Sequence, residues 1–314
     1  MTSDDASRLI ALLEQNMACV VLGKADTVRL TVIALLAGEH VLLEDVPGVG
    51  KTLVGKALAR SVAGTFHRIQ FTPDLLPADI TGSSLYHNRT EQFTFSPGPI
   101  FANIVLADEI NRATPRTQSA LLESMSECQV SADSQTYPLP QPFMVIATQN
   151  PIEFEGTYPL PESQLDRFLL RLPMGYPSRE AERQVLLTHR AGEPVESLRP
   201  VLDGEQIVAL QECVRQVAVD AAVNEYLLDI IEATRNCDQL HVGVSTRGLL
   251  ALYRAAQAAA LVAGRQYVVP DDIKRLSIPV LAHRVIPKGF LHDGQRQLVE
   301  SLIERLVEDV AVPG

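Results

Sequence analysis

Gly48-Val49-Gly50-Lys51-Thr52 is the stretch of this chain with the most chemistry in it. Two glycines free the backbone to turn its N–H groups inward, a lysine follows where a helical stretch begins, and a threonine hydroxyl comes next. Such a loop holds phosphates. Successive N–H groups at a helix N-terminus wrap the anion, the ammonium reaches the terminal phosphates, and the hydroxyl ligates Mg2+. Where the full loop pattern has its first glycine this chain has Asp45, and a truncated match also arises as an ordinary Gly-Lys-Thr turn. A second signal is therefore needed. Ile104-Val105-Leu106-Ala107 supplies it by running, as a buried strand would, into Asp108-Glu109. At a strand's carboxyl end the first carboxylate is placed to hold Mg2+ through water and the second to polarise the attacking water, as phosphoryl transfer requires. Alone, Asp-Glu after a core strand reads as an acidic loop; beside a phosphate loop it reads as catalytic apparatus.

Three further residues fit the same chemistry, each with a plainer alternative. A third apolar run, Val145-Ile146-Ala147-Thr148, ends at Gln149-Asn150-Pro151, which sets the Asn150 amide beside a γ-phosphate to orient water. It is also an ordinary loop-forming Asn before Pro. Arg167, in Leu165-Asp166-Arg167-Phe168, is placed to reach a phosphate on a neighbouring subunit, or else pairs with Asp166 at the surface. Arg247 opens a helix after the cap Ser245, so a lid closing over the nucleotide would deliver its guanidinium to the phosphates; the alternative is a solvated first-turn arginine. The seven histidines show no H-x-x-x-H spacing, and no protein-ligated metal site is expected from them.

The elements that must position these residues follow from periodicity. Helices are expected over 3–16 and Lys24–Ala37, the second stopped by Gly38. Val41-Leu42-Leu43 is a short apolar run of the kind that forms a buried parallel strand, and it feeds the phosphate loop and a helix to Arg60. Further apolar runs at Arg68–Phe71, Asn103–Ala107, Phe143–Thr148 and Phe168–Leu172 alternate with helical stretches at Pro115–Ser126 and Pro161–Arg167. That alternation predicts an α/β core with a parallel sheet between helices. From about Gly192 to Pro200 the chain turns rich in Gly, Pro and charge, and helical patterns follow at Asp203–Ala218, Asn224–Asn236, Thr246–Ala263, Asp271–Leu276 and Gln295–Val307. Two domains are expected: a nucleotide-binding core over 1–192 and a smaller all-α lid over 201–314.

Composition narrows the class. With 314 residues, 46% hydrophobic and 21% charged, the chain can bury a real core, and no apolar run is long enough to span a bilayer. Its formal charge of −11 disfavours non-specific binding to nucleic acid or anionic lipid. Four scattered cysteines without a C-x-x-C pair fit a reducing cytoplasm.

With these residues in place, the chain resembles the MoxR family of AAA+ ATPases over nearly its whole length. The matching stretches are Leu43–Thr52, Gly98–Asn103, Leu106–Ala113, Ala147–Pro151, Gly156–Glu162 and Gln164–Phe168. The resemblance accommodates Asp45, which that family commonly carries. It implies sensor 1 at Asn150, an arginine finger at Arg167 and sensor 2 at Arg247. Hairpins are implied near Gly82–Phe95 and Gln129–Leu139, facing a ring pore or a client. Leu22 and Gly23 fall in the segment that lies against the adenine, and Pro47, Gly48, Val49, Gly50, Lys51, Thr52 and Leu53 in the nucleotide loop, with Thr52 and Asp108 on Mg2+. A departure is Ser245-Thr246-Arg247, where many relatives have Ser-Pro-Arg. The implied activity is Mg-ATP hydrolysis by a cytoplasmic, hexameric ring that matures client complexes with a von Willebrand A domain partner. A nucleic-acid motor and a metal-chelatase motor subunit stand as alternatives, a non-hydrolysing scaffold is disfavoured by Glu109 and Arg167, and the guanine signature N-K-x-D is absent.

Overall fold

The structure, a computed structural model, describes the chain except for Pro47, 89–90, 133–134, 151–156, 189–191, 290–294 and Gly314. Helices α1 (Ser3–Ala18) and α2 (Ala25–Ala37) lead into β1 (Val41–Glu44), α3 (Lys51–Ser61), the two-residue β2 (Val62–Ala63) and β3 (Phe66–Gln70). After α4 (Pro77–Thr81) come the hairpin β4 (Gly82–His87) and β5 (Gln92–Pro97), then β6 (Ile104–Asp108) and α5 (Pro115–Glu127). A second hairpin, β7 (Gln129–Ala132) and β8 (Gln135–Pro138), precedes β9 (Met144–Gln149), α6 (Glu162–Leu165), β10 (Leu170–Pro173) and α7 (Arg179–Thr188). The remainder holds β11 (Leu202–Asp203), α8 (Gly204–Arg215), α9 (Ala221–Arg235), β12 (Leu240–Val242), α10 (Thr246–Val262), α11 (Pro270–Leu281), β13 (Ile286–Pro287) and α12 (Gln295–Asp309).

The central sheet runs β10-β1-β9-β6-β3 with every neighbouring pair parallel. Parallel strands put all their carboxyl ends on one edge, so the residues after β1, β6, β9 and β3 must meet there. Alternation along each strand sends Leu42, Val105, Ala107, Val145 and Ala147 to the face covered by α5, and Val41, Leu43, Ile104, Leu106 and Ile146 to the face covered by α1, α2 and α3. The second cluster continues without a break through α8 to α12. The helical C-terminal region therefore shares apolar core with α1 and α2.

The five strands of the central sheet begin and end within two residues of those expected, while the short β2, β11, β12 and β13 were not foreseen. Two larger differences have physical reasons. The fourth lid helix was expected to stop at Leu276, ahead of Pro279; α11 continues to Leu281 because Ile273, Leu276, Val280 and Leu281 stay buried on one face. That burial outweighs the roughly 3 kcal/mol that an interior proline costs. Helix α7, unforeseen in the sequence, buries only Ala181, so its pattern is too polar to read. Both expected hairpins form, with Asp133 and Ser134 of the second outside the described residues. Among the described residues no helix is long and apolar enough to cross a membrane.

Candidate nucleotide site

The phosphate loop leaves β1 at the shared carboxyl edge. Gly48 and Gly50 adopt φ of +83° and +94°, left-handed backbone that suits glycine, and a Cβ on either would meet nothing within 4 Å. The loop is thus an open cradle, with Gly50 capping α3 and aiming that helix's free N–H groups into it. Pro47 lies outside the described residues. Asp45, which replaces the expected first glycine, braces the loop: its carboxylate accepts from Val46 N–H at 2.7 Å and from Gly175 N–H at 2.5 Å. Lys51 Nζ donates to Asp45 O at 2.5 Å and to Gln149 O at 3.0 Å, parked on backbone acceptors at the mouth of the cradle. Burial draws the Lys51 pKa below the usual lysine range, and the carboxylates of Asp45, Asp108, Glu109 and Glu44 oppose the shift.

Two cavities adjoin this loop. One, of about 440 Å³, is lined by Lys51, Thr52, Asp108, Glu109, Thr148 and Asn150 among others. It therefore gathers the loop, both β6 carboxylates and the residue after β9. The other, of about 210 Å³, is mainly apolar, with Val21, Leu22, Val49, Leu53, Met174 and Val185 in its wall. Leu22 is part of this wall. Gly23 at φ +70° lies behind that wall, where a Cβ would come within 2.6 Å of Ala181 Cβ on α7. A polar, lysine-bearing chamber beside an apolar slot fits a nucleoside triphosphate, phosphates in one and base in the other.

Besides Thr52, the carboxylates are held by residues with no role foreseen from the sequence. Thr52 Oγ1 faces Asp108 Oδ2 at 3.4 Å, the placement that lets both hold one Mg2+. Thr148 Oγ donates to Asp108 Oδ1 at 2.5 Å and accepts from Glu109 N–H at 2.9 Å. Arg68, from the edge strand β3, pairs with Asp108 Oδ2 at 2.6 Å, while Gln70 on the same strand face donates to Glu109 Oε2 at 2.9 Å. Arg112 reaches that same oxygen at 3.2 Å. Glu109 itself stands at φ +59°, a strained backbone for a side chain of its size and one that costs about 1–3 kcal/mol. Alternation of Arg68 and Gln70 along a strand was the available signal, since it places two polar side chains together at the active edge.

Below the loop, Glu44 is buried at 2% exposure between two arginines. Arg171 of β10 pairs with its Oε2 at 2.5 Å and Arg296 of α12 at 2.7 Å. Helix α12 is thereby tied to the residue from which the phosphate loop springs.

Arg167 and Arg247 are not in the nucleotide chamber. Arg167 NH1 donates to Leu122 O at 2.5 Å and Ser126 Oγ at 2.9 Å, and Arg247 NH2 reaches the same Ser126 Oγ at 3.4 Å. Ser126 lies in the last turn of α5 next to Met125, whose carbonyl is bonded at 3.1 Å by His40, the residue just before β1. His40 and Glu44 bracket β1, so the two arginines stand at the strand-start edge, roughly 13 Å of strand away from the phosphate loop. In this arrangement Arg247 does not reach the nucleotide chamber of its own chain. Asp166 does not pair with Arg167 either; it pairs with Arg284 at 2.8 Å.

The parallel sheet, the loop on Lys51, the β6 carboxylates and the helical lid define a P-loop ATPase of the AAA+ class. The family model for the "ATPase family associated with various cellular activities (AAA)" matches residues 40–170, and an AAA lid domain matches 232–305. The chain is 49% identical to "Uncharacterized protein YeaC" of Bacillus subtilis, over 99% of this chain and 97% of that one. To "Chaperone MoxR1" of Mycobacterium tuberculosis it is 43% identical, over 94% of this chain and 80% of that one. A crystal structure from Cytophaga hutchinsonii, assigned as an ATPase, superposes with a TM-score of 0.89 at 34% identity, covering 99% of this chain and 97% of that one. The chain belongs to the MoxR family of AAA+ ATPases.

Proposed function

We propose that the protein is a ring-forming, Mg-ATP-hydrolysing chaperone whose hydrolytic site is completed only between two copies of the chain. The observation that carries this reading is the separation of the machinery: Lys51, Asp108 and Glu109 gather at one edge of the sheet, Arg167 and Arg247 at the other. One copy offers a nucleotide chamber and the next offers guanidinium groups to the triphosphate in it. Bound Mg2+ would neutralise charge on the β- and γ-phosphates. Thr52 and Asp108 hold it, Lys51 swings from its carbonyl partners to the terminal phosphates, Asn150 orients the attacking water, and Glu109 polarises that water once Gln70 and Arg112 release it. Arg167 and Arg247 act on the neighbour's γ-phosphate, so subunit contacts respond to whether that phosphate is present. A ring of six, a von Willebrand A domain partner and a client complex follow from the family resemblance, and the name of the mycobacterial relative supports the chaperone assignment.

The test is complementation. Glu109→Gln should retain nucleotide and lose roughly 100-fold or more in turnover, as expected for loss of a general base. Arg167→Ala should lose about 1,000-fold or more, the scale of an arginine finger. Mixed together, the two inactive chains should regain ATPase activity at junctions where an intact chamber meets an intact Arg167; no recovery at any mixing ratio sinks the shared-site reading.

A further inference from the structure

Arg167 and Arg247 reach Ser126 from different parts of the chain, one from the turn between α6 and β10, the other from the first turn of α10. A third arginine joins these two supports. Arg284, just past the end of α11, has a side chain only 2% exposed. Its Nε donates to Asp166 Oδ1 at 2.8 Å, and its NH2 to Asp166 O at 3.3 Å and Phe168 O at 2.7 Å. Its NH1 donates to Leu169 O at 3.1 Å and to Val280 O. The carbonyls on both sides of Arg167 are thus held by one guanidinium. On the lid side, the stem of Arg284 lies against Gly248, the residue after Arg247, where a Cβ would come within 2.9 Å of Arg284 Cδ and 2.6 Å of Val244 Cγ1. Only a residue without a side chain lets the first turn of α10 sit this close. Burial lowers the Arg284 pKa to about 10 while Asp166 opposes the shift, so the group stays charged at neutral pH. A planar fork of five donors can bind a carboxylate and several carbonyls in one plane; a lysine ammonium with three donors on a flexible stem cannot.

We propose that Arg284 is the positioning residue for the arginine pair: it clamps the backbone on both sides of Arg167 against the helix turn carrying Arg247, and so sets the spacing at which the two guanidinium groups meet a neighbouring subunit's triphosphate. This rests on the shared-site reading above. Its distinguishing consequence is directional, because a chain with altered Arg284 is defective as a donor of arginines and sound as a holder of nucleotide.

The experiment uses Arg284→Lys in the full-length chain. Its binding of a fluorescent ATP analogue should stay within about twofold of the parent, while turnover falls roughly 100-fold, the scale of a small misplacement of catalytic groups. Mixing with Glu109→Gln chains, which carry sound arginines, should restore activity; mixing with Arg167→Ala chains should not. The opposite pattern would place the defect in the variant's own chamber and overturn the proposal. Recovery with both partners or with neither overturns it as well, the latter marking a defect of the fold. Gly248→Ala, which leaves the guanidinium intact and crowds its stem, should give the same donor-side pattern if Arg284→Lys cannot be produced. Failure of the Arg167→Ala and Glu109→Gln mixture would instead remove the shared-site reading on which the proposal stands.

Discussion

Thr148 serves both catalytic carboxylates at once, donating to Asp108 and accepting from the backbone of Glu109. It is fully buried, and removing the hydroxyl takes one partner from the Asp108 carboxylate and the side-chain acceptor from the Glu109 N–H. Thr148→Val keeps the shape and removes the oxygen, and should cost about 1–3 kcal/mol in chemical denaturation, the range for a buried polar group left unpaired. Turnover should fall more than nucleotide affinity, because Glu109 loses the contact that fixes its strained backbone; equal loss of both, or of neither, would remove this role. Nothing in the sequence announced it. A β-branched residue ending an apolar run reads as a strand former, and its second use depends on Asp108, which lies 40 positions away in sequence. Lys51, Thr52, Asp108 and Glu109 were legible because their chemistry is carried by local spacing. Arg284 was not, because its partners Asp166, Phe168 and Leu169 lie 115 to 118 positions away in sequence.

At the scale of elements, the junction between β1 and α5 has a pH-sensitive fastening. His40 accepts from Val145 N–H at Nδ1, 3.1 Å, which leaves Nε2 to donate to Met125 O at 3.1 Å. The neutral ring therefore satisfies both neighbours, and a proton on Nδ1 would face the Val145 donor. Burial accordingly depresses the His40 pKa below the ordinary value of 6.5, and His283 is depressed by burial too. The sign follows directly: below the unfolded value the unfolded chain takes up protons that the folded chain refuses, so stability falls as pH drops below 6.5 and levels once the folded histidine titrates. Urea denaturation at about pH 7.5 and about pH 5.5 should show this loss, and His40→Gln should flatten it. An unchanged slope in the variant would assign the effect to His283 or elsewhere. The strands themselves were readable from their apolar runs. Helix α7 was not, since it packs mainly through Ala181 and the backbone of Gly23, contacts with no periodic signature.

Across the whole molecule, the lid is fastened to the core by ionic contacts that the boundary in the sequence does not suggest. The Gly- and Pro-rich stretch near residue 192 marks a change in composition, yet the apolar core continues past it and the Glu44–Arg296 pair crosses it. Arg296→Ala should leave Glu44 with one ion-pair partner, Arg171, and the Gln149 amide at 3.4 Å. Breaking a buried pair costs up to about 3–5 kcal/mol, and the remaining arginine should hold the loss below that range. Since Glu44 is the last residue of β1, weaker ATP binding should accompany the lower melting temperature; a variant that melts earlier and binds nucleotide as before would show that the loop does not feel the lid. The same tie has a temporal side. Arg296 follows Glu44 by 252 residues, so a ribosome delivers the carboxylate long before its second counter-ion. Until α12 emerges, a nascent chain has a nucleotide loop rooted on an acid braced by one arginine instead of two, and full competence to grip ATP should arrive only once α12 has been made.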